Sequence, residues 1–447
     1  MTQLQITASP TWKVYKSYLV PSMLSLLAVS LYSFTDTFVV GQAMGSVAVA
    51  AMGLGTPCVS IMYALGFLLG TGGAVRYSVL KSQNRLKDAQ KLFTLSFVTV
   101  LVLGFSFALL GNLYIENIAR FLGAQEDTLS YTVTYIRWII SLSVFLMMDI
   151  VLNAFMRNEG HPAVSAVATA TGTGLNIVLD FVFVMGFKWG MGGAASATCI
   201  ASVISVGING IYCLVKKTDL KLCLKAFIPS EFLNILKIGL GSGILEGAVA
   251  IVTVVFLNAF GKYYGSEGIS SYSVIITLNI FVYCLLNGVA QAMQPLVSNN
   301  YGAGKEGRCR TFFNYSLIIS CGIAVLFIIV FEAFPAFVCS LFVKDDEAVM
   351  SYAVKALRLH SVSFFFMAVS IQTGIYFQAK ENSLYSFLIL LGRSVLLPVA
   401  VLLILEKAMG EGAVWISIPT GEGLAMVLSL VLLYISSARE RKERAKA

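Results

Sequence analysis

AVSAVATATGTGLNIVLDFVFVMGF (163–187) carries a single ionisable side chain in its whole length. A helix needs about 20 apolar residues to cross about 30 Å of hydrocarbon, so this stretch is long enough to span a bilayer. It is not apolar all round. Thr169, Thr173, Asn176 and Asp180 recur at spacings of four, three and four, which puts them on one helical face. A polar stripe on a membrane helix must look toward protein or water, never toward lipid. The stretch therefore reads as a spanning helix with one face lining a wet interior.

Outward from it, runs of the same kind fill the chain. Twelve spans are expected, at roughly 17–40, 47–76, 92–112, 130–156, 163–187, 192–215, 232–258, 268–298, 311–333, 352–378, 384–405 and 411–437. Pro57, Pro398 and Pro419 fall inside spans, where each removes a backbone donor and favours a kink. Met1–Lys16 is polar and leads into the first apolar run without an A-x-A cleavage site, so the first helix is expected to stay.

Composition agrees: 57% of the 447 residues are hydrophobic and only 12% charged, about half the charge of a soluble chain. These figures exclude a soluble enzyme, a disordered scaffold, a secreted disulfide framework and a single-pass receptor. The net charge of +8 is a matter of topology rather than of nucleic-acid binding. One set of loops and ends carries Lys13, Lys16, Lys81, Arg85, Lys87, Lys91, Arg157, Lys216, Lys217, Lys221, Lys225, Lys305, Arg308, Arg310, Lys380, Arg439, Arg441, Lys442, Arg444 and Lys446, twenty in all. The opposite set holds five: Arg120, Lys188, Lys262, Lys344 and Lys407. The positive-inside rule then places both termini in the cytoplasm, with anionic lipid headgroups as neighbours.

The two halves echo each other. GTGGAVRYSVLKSQNRLKDAQK (from Gly70) and NGVAQAMQPLVSNNYGAGKEGR (from Asn287) both run from a small-residue helix end into a basic loop, and GMGGAASA (190–197) and GEGAVWIS (410–417) both open a span. Six spans per half makes a parallel repeat, which predicts two lobes and alternating access. The expected organisation is a cytoplasmic N-terminus (1–16), an N-lobe (17–215), a linker (216–231), a C-lobe (232–437) and a basic cytoplasmic tail (438–447).

Ionisable groups inside spans are costly and mark function by default. Asp36 in span 1 and Asp180 in span 5 come out at similar depth, about 25 Å from the cytoplasmic side at 1.5 Å per residue. Two carboxylates in one poorly hydrated site cannot both carry charge cheaply. They can trade a proton or, with Asn176 and the Thr173 hydroxyl, ligate a hard monovalent cation. Both uses stay open. In the second half Glu246 and Glu422 fall near mid-membrane, and span 8 presents Asn279, Tyr283, Asn287, Gln291 and Gln294 as a polar stripe. Asp149, Asn153 and Arg157 follow one another at intervals of four on span 4, where an internal Asp149–Arg157 ion pair is the plainer reading. Arg137 and Arg393 read as counter-charges or snorkelling side chains. Tyr32 and Tyr283 lie beside the buried acids, where their ring faces suit a lipophilic cation.

HExxH, GxSxG and Walker A patterns do not occur, so neither a metalloprotease nor an ATP-driven pump is supported. Asn176-x-x-x-Asp180 matches half of an intramembrane prenyltransferase metal motif, but the next position is Val184, and Asp345–Asp346 sits alone in an outer loop. Eight scattered cysteines without a CxxC pair, with His161 and His360 the two histidines, give no zinc or disulfide framework. Transport without ATP is channel-like or driven by an ion gradient, and buried carboxylates favour the gradient.

SFTDTFVVGQAMGSVAVAAMG (33–53), FMRNEGHP (155–162), LNIVLDFVFVMGFKWGMGGAASAT (175–198), LGSGILEGAV (240–249) and GVAQAMQPLVSNNYGAG (288–304) together resemble the MATE (multidrug and toxic compound extrusion) transporters, nearest to their MepA-like bacterial branch. The resemblance implies a twelve-helix, two-lobe exporter, all-α and multi-pass in a bacterial cytoplasmic membrane. It exchanges an amphipathic organic cation for H+ or Na+, with no further cofactor, no metal and no enzymatic activity. Asp36, Asp180, Asn176 and Thr173 are then expected in cation coupling. Asp36, Tyr32, Asn153, Glu246, Asn279, Tyr283, Gln291 and Glu422 are expected to meet substrate. A two-lobed monomer would suffice. Span 10, SVSFFFMAVSIQTGIYFQ, lacks the acid that sodium-coupled NorM-like relatives carry there, which counts against a second-lobe sodium site of that kind. The rival is a flippase of the same superfamily for a lipid-linked or anionic cargo; such proteins line their cavity with basic residues, and here the mid-membrane charges are mainly acidic.

Overall fold

The long apolar runs form long helices. A computed structural model describes residues 3–216, 218–223, 229–341 and 347–444, and no strand occurs among them. Lys217, Lys225, Lys344, Lys446 and the Asp345–Asp346 pair lie outside the described residues. In chain order the helices are α1 (Gln3–Ala8), α2 (Thr11–Met44), α3 (Ser46–Ser82), α4 (Leu86–Leu113), α5 (Ile115–Phe121), α6 (Glu126–Ser141), α7 (Ser143–Glu159), α8 (Pro162–Asp180) and α9 (Gly190–Val215). They continue with α10 (Pro229–Gly302), α11 (Glu306–Ala333), α12 (Pro335–Ser340), α13 (Glu347–Ser361), α14 (Ser363–Ala379), α15 (Ser383–Leu391), α16 (Leu397–Met409) and α17 (Ala413–Arg444). Gly265 breaks α10 into two arms, Pro229–Gly265 and Ser270–Gly302, through a φ of 60° that a side chain would strain.

This is an all-α, multi-pass membrane fold. Among the described residues nine helical stretches are long and apolar enough to cross a bilayer, and two bent pairs raise that to eleven. Both bent pairs replace a span expected to be continuous. The span near 130–156 bends by 51° between α6 and α7, and the one near 352–378 bends by 44° between α13 and α14. The cause is legible in hindsight: the breaks fall at Ser141-Leu142-Ser143 and Ser361-Val362-Ser363, the same serine pair 220 residues apart. Serine hydroxyls compete for helix carbonyls, and serine pairs are a known site of sharp bends. Ser361 Oγ donates to the Arg358 carbonyl, Ser363 Oγ to that of His360, and Ser143 Oγ to Gly104 O at 2.9 Å.

The chain divides into two compact units. One comprises residues 1–247 and 295–309, the other 248–294 and 310–447. In the first, α3 lies along α7, α8 along α9, and α2 along α8. Small residues bring a further pair of helices together. A Cβ at Gly239 would stand 1.8 Å from Leu68 O, and one at Gly72 would stand 2.1 Å from Ile235 O. The first arm of α10 and α3 therefore meet backbone to backbone, as membrane helices do where small residues replace large ones. In the second unit α17 packs on α14 and α16, with Gly421 set against the backbone of Pro398.

Outward, both units are greasy. Phe34, Phe105, Leu109 and Leu214 of the first and Ile329, Phe337, Ile404 and Tyr434 of the second stand more than half exposed. Water would not tolerate that much bare apolar surface, whereas hydrocarbon does.

Candidate functional site

The stripe of span 5 does face inward. Asp180 is fully buried, Asn176 is 1% exposed, and Asp36, brought alongside by the packing of α2 on α8, is 6% exposed. Asp36 and Asp180 lie within electrostatic reach of each other, and Tyr135 from α6 lies within reach of both. Neither Asp180 oxygen has a hydrogen-bond partner, nor has Asp36 Oδ1, nor Asn176 Oδ1. Asn176 Nδ2 donates instead to Thr198 Oγ1 of α9 at 3.3 Å. Thr173, also inward, donates its hydroxyl to its own helix at Thr169 O, 2.9 Å away, leaving its oxygen free only to accept.

Four unpartnered buried oxygens converging from two helices form an unusual group, because an unsatisfied buried acceptor ordinarily costs about 1–3 kcal/mol. What relieves all of them at once is a positive charge. Oxygen donors suit a proton or a hard cation such as sodium and do not suit a soft transition metal. Among the described residues no group of three His, Cys, Asp or Glu side chains could hold a metal ion. Backbone geometry adds to the arrangement. The helix widens into a π-turn at Phe181–Gly186, directly after Asp180, and such turns recur at functional sites. Thr198 escaped the sequence reading, since its part depends on α9 crossing α8.

One turn inward on α2, the Tyr32 hydroxyl lies 3.3 Å from that of Tyr63 on α3. Tyr63 in turn lies within electrostatic reach of Asp149 and of Glu246, which are both half-buried. The first unit thus gathers Asp36, Asp180, Tyr32, Tyr63, Asp149 and Glu246 along its interior. Asn153 is present too, with both the nitrogen and the oxygen of its amide hydrogen-bonded within the unit. Its Nδ2 donates to Asp149 Oδ1 at 2.8 Å, and its Oδ1 accepts from Ser165 Oγ at 2.9 Å and Asn209 Nδ2 at 3.1 Å.

The expected Asp149–Arg157 ion pair does not form. Eight residues along a helix amount to about 12 Å of rise and about 80° of rotation away from alignment, so the two side chains do not meet. Asp149 Oδ1 accepts from Ser205 Oγ of α9 as well as from Asn153, and Arg157 Nη1 reaches Ser165 Oγ at 3.4 Å. Arg137 is exposed.

Glu159, in the quoted FMRNEGHP, was not singled out by sequence. It accepts from Tyr77 and from Lys81 Nζ (2.7 Å), and its other oxygen accepts the backbone N–H of Asp219 at 3.1 Å. Lys81 also pairs with Asp219 at 2.9 Å. An acid at a span end reads as solvated; the only local signal was the left-handed Gly160 (φ 100°) that follows it.

In the second unit Tyr283 and Asn287 touch at 3.4 Å and Asn279 Oδ1 is unpartnered, while Gln291 is half-buried and Gln294 buried. Glu422 is held by Arg393, with Nη2 at 2.6 Å from Oε1 and Nε at 3.2 Å from Oε2. The counter-charge reading of Arg393 thus acquires its partner. Both groups are buried, so losing one strands the other. Arg393→Met and Glu422→Met are each expected to cost about 3–5 kcal/mol, whereas the double replacement should cost little. A double-mutant cycle of detergent melting midpoints checks this; additive losses would mean the pair is not coupled.

Comparisons with known proteins agree on one family. A family model described as MatE matches residues 21–182 and again 242–403, a shift of 221 residues. The multidrug export protein MepA of Staphylococcus aureus is 25% identical over 439 residues, covering 96% of this chain and 94% of that protein. The protein of that name from Staphylococcus saprophyticus is 24% identical, covering 98% and 97%. Among solved structures, a MOP superfamily transporter from Pyrococcus furiosus, described as having a binding pocket of reverse polarity that suggests a different function, superposes with a TM-score of 0.91 at 22% identity, covering 98% of this chain and 99% of that one. A MATE protein in a bent conformation gives 0.89 at 23% identity, covering 100% and 99%.

Proposed function

The chain belongs to the MatE family, and from that premise we propose that it is a cation-coupled antiporter exporting amphipathic organic cations by alternating access. The observation that carries the reading is the buried Asp36–Asp180 pair with its unpartnered oxygens. A site left that unsatisfied is stable only part of the time without a cation, which is what a cyclic carrier needs. Relatives described as multidrug export proteins support the cargo class.

The proposed topology has twelve spans in two six-helix lobes, 17–215 and 232–437, joined by the linker 216–231 and followed by the tail 438–447. Counting each bent pair once and dividing the 58-residue stretch Ser383–Glu440 at Gly410, whose φ is 59°, brings the spans to twelve. The doubled family match and the repeated serine-pair bend support a parallel repeat. Both termini lie in the cytoplasm of a bacterial inner membrane by the lysine and arginine asymmetry, and the monomer suffices.

In the cycle, a proton or sodium ion arriving from outside neutralises Asp36 and Asp180 beside Asn176, Thr173 and Thr198. The first unit repacks and gives up its cargo. Release of the ion toward the cytoplasm restores the negative site. Linkage requires ion and substrate to oppose each other by one coupling energy. Tyr32, Asn153 and Glu246 of the first unit, and Asn279, Tyr283, Gln291 and Glu422 of the second, are the proposed substrate contacts. Asn153 acts through the groups it holds.

A flippase for an anionic or lipid-linked cargo is the second reading, and the reverse-polarity relative keeps it specific. Against it, Arg393 is neutralised by Glu422, and Asp36, Asp180 and Glu246 leave the first unit's interior acidic. The test is ethidium movement in proteoliposomes under an imposed pH gradient, then under a sodium gradient. Movement under either supports antiport and identifies the ion. Silence under both refutes ethidium-type export and moves the weight to the flippase.

A further inference from the structure

We propose that Asp149 is a relay carboxylate that passes the coupling proton from Asp36 toward the cytoplasmic end of the first unit, by way of the Tyr32 and Tyr63 hydroxyls. This rests on the antiport reading, takes H+ as the ion, and assigns the inward half of its path.

Asp36 and Asp180 are sealed, at 6% and 0% exposure, so a proton held there needs intermediaries to leave. Two polar lines start from the pair. The one along α8 stops at once, because the Thr173 hydroxyl is spent on Thr169 O. The other runs on. Tyr32 sits one turn from Asp36 on α2, and its hydroxyl meets that of Tyr63 at 3.3 Å. Helix α3 then crosses α7 so closely that a Cβ at Gly66 would lie 2.9 Å from Ile150 Cδ1. Tyr63 stands one turn from Gly66 at this crossing and within electrostatic reach of Asp149.

Beyond Asp149 the hydrogen bonds continue through Asn153 to Ser165 and Arg157, two turns further toward the end of α7 that Lys81 and Tyr77 hold through Glu159. Asp149 and Tyr63 are half-buried where Asp36 and Asp180 are not.

The groups facing this line are few. Arg157 lies within electrostatic reach of Asp149 from its own helix. Glu246 of α10 and Cys199 of α9 lie within electrostatic reach of Tyr63, as Tyr135 of α6 does of Tyr32 and Tyr63. From α8 and α9 the Asp149 network meets Ser165, Ser205 and Asn209, none of them charged. The proton balance closes. Each tyrosine hydroxyl accepts one proton and gives up one, so the net change is a proton lost by Asp36 and gained by Asp149.

The test separates net proton passage from substrate movement. Wild type, Asp149→Asn, Tyr63→Phe and Asp149→Glu are reconstituted in proteoliposomes. Each is assayed for pH-gradient-driven ethidium transport and for exchange of labelled tetraphenylphosphonium at equal pH on both sides, which needs no net proton release. The relay predicts a fall of at least tenfold in driven transport for Asp149→Asn and Tyr63→Phe, with exchange within about twofold of wild type. Asp149→Glu, which restores a carboxylate, should recover most of the driven rate and keeps the proposal testable if the asparagine variant fails to fold. Equal losses in both assays, or no loss in either, would overturn the relay. Wild-type ethidium transport that ignores the imposed pH gradient would refute proton antiport itself and the relay with it.

Discussion

Asp180→Asn is expected to abolish gradient-driven export, by about a hundredfold or more, while making the protein harder to unfold. The two effects have one cause. In the native chain both Asp180 oxygens are buried without a partner and share their surroundings with Asp36. Asparagine keeps the shape, removes one potential charge and adds an N–H2 that can donate toward the Asp36 carboxylate. Relief of even one unsatisfied buried group is worth about 1–3 kcal/mol, which should appear as a raised melting midpoint. The coupling ion loses half of its charged ligands in the same step. Asp36→Asn should behave alike but more mildly in stability, since only one of its two oxygens is both fully buried and unpartnered. A purely structural carboxylate would do the opposite, losing stability on replacement. The measurement is therefore a pair, transport in proteoliposomes and melting in detergent. A variant that melts earlier and still transports would remove Asp180 from the coupling site. Sites that trade stability for function are stabilised by such changes.

Much of this site is legible in the sequence alone. An apolar run fixes a helix, the 3.6-residue period fixes a face, and an acid on that face has nowhere to point but inward, so Asp36, Asn176 and Asp180 follow from α2 and α8 taken singly. What escaped depends on a second helix. Thr198 matters because α9 crosses α8 at Asn176. Asp149 is held by Ser205, also on α9, and that contact decides against the pairing with Arg157 which spacing alone suggested. Glu159 hides at a span end, where composition looks solvated. The bends in two spans were written as Ser-x-Ser, yet serine is ordinary enough in membrane helices that only its recurrence 220 residues later carries weight. Local chemistry is thus readable from one helix, whereas partners are not.

Glu246→Gln should weaken binding of cationic substrates without uncoupling the carrier. Glu246 stands half-buried on the first arm of α10 and within electrostatic reach of Tyr63. That places it on the interior side of the first unit, on a helix other than the two that carry the sealed pair. A carboxylate about 6 Å from a bound monocation contributes about 2–3 kcal/mol at an effective dielectric constant near 20. Its loss should therefore raise the dissociation constant of ethidium or tetraphenylphosphonium by roughly 30- to 150-fold. An uncharged compound of similar shape loses no such term, so its affinity should stay within about threefold. The discrimination between charged and neutral ligands is the informative quantity, because a general distortion of the cavity would weaken both together. At saturating substrate the driven rate should recover, since the ion site on α2 and α8 is intact. Equal loss for charged and neutral ligands would make Glu246 a structural group of the α10 arm. A driven rate that stays low at saturation would place it in coupling instead.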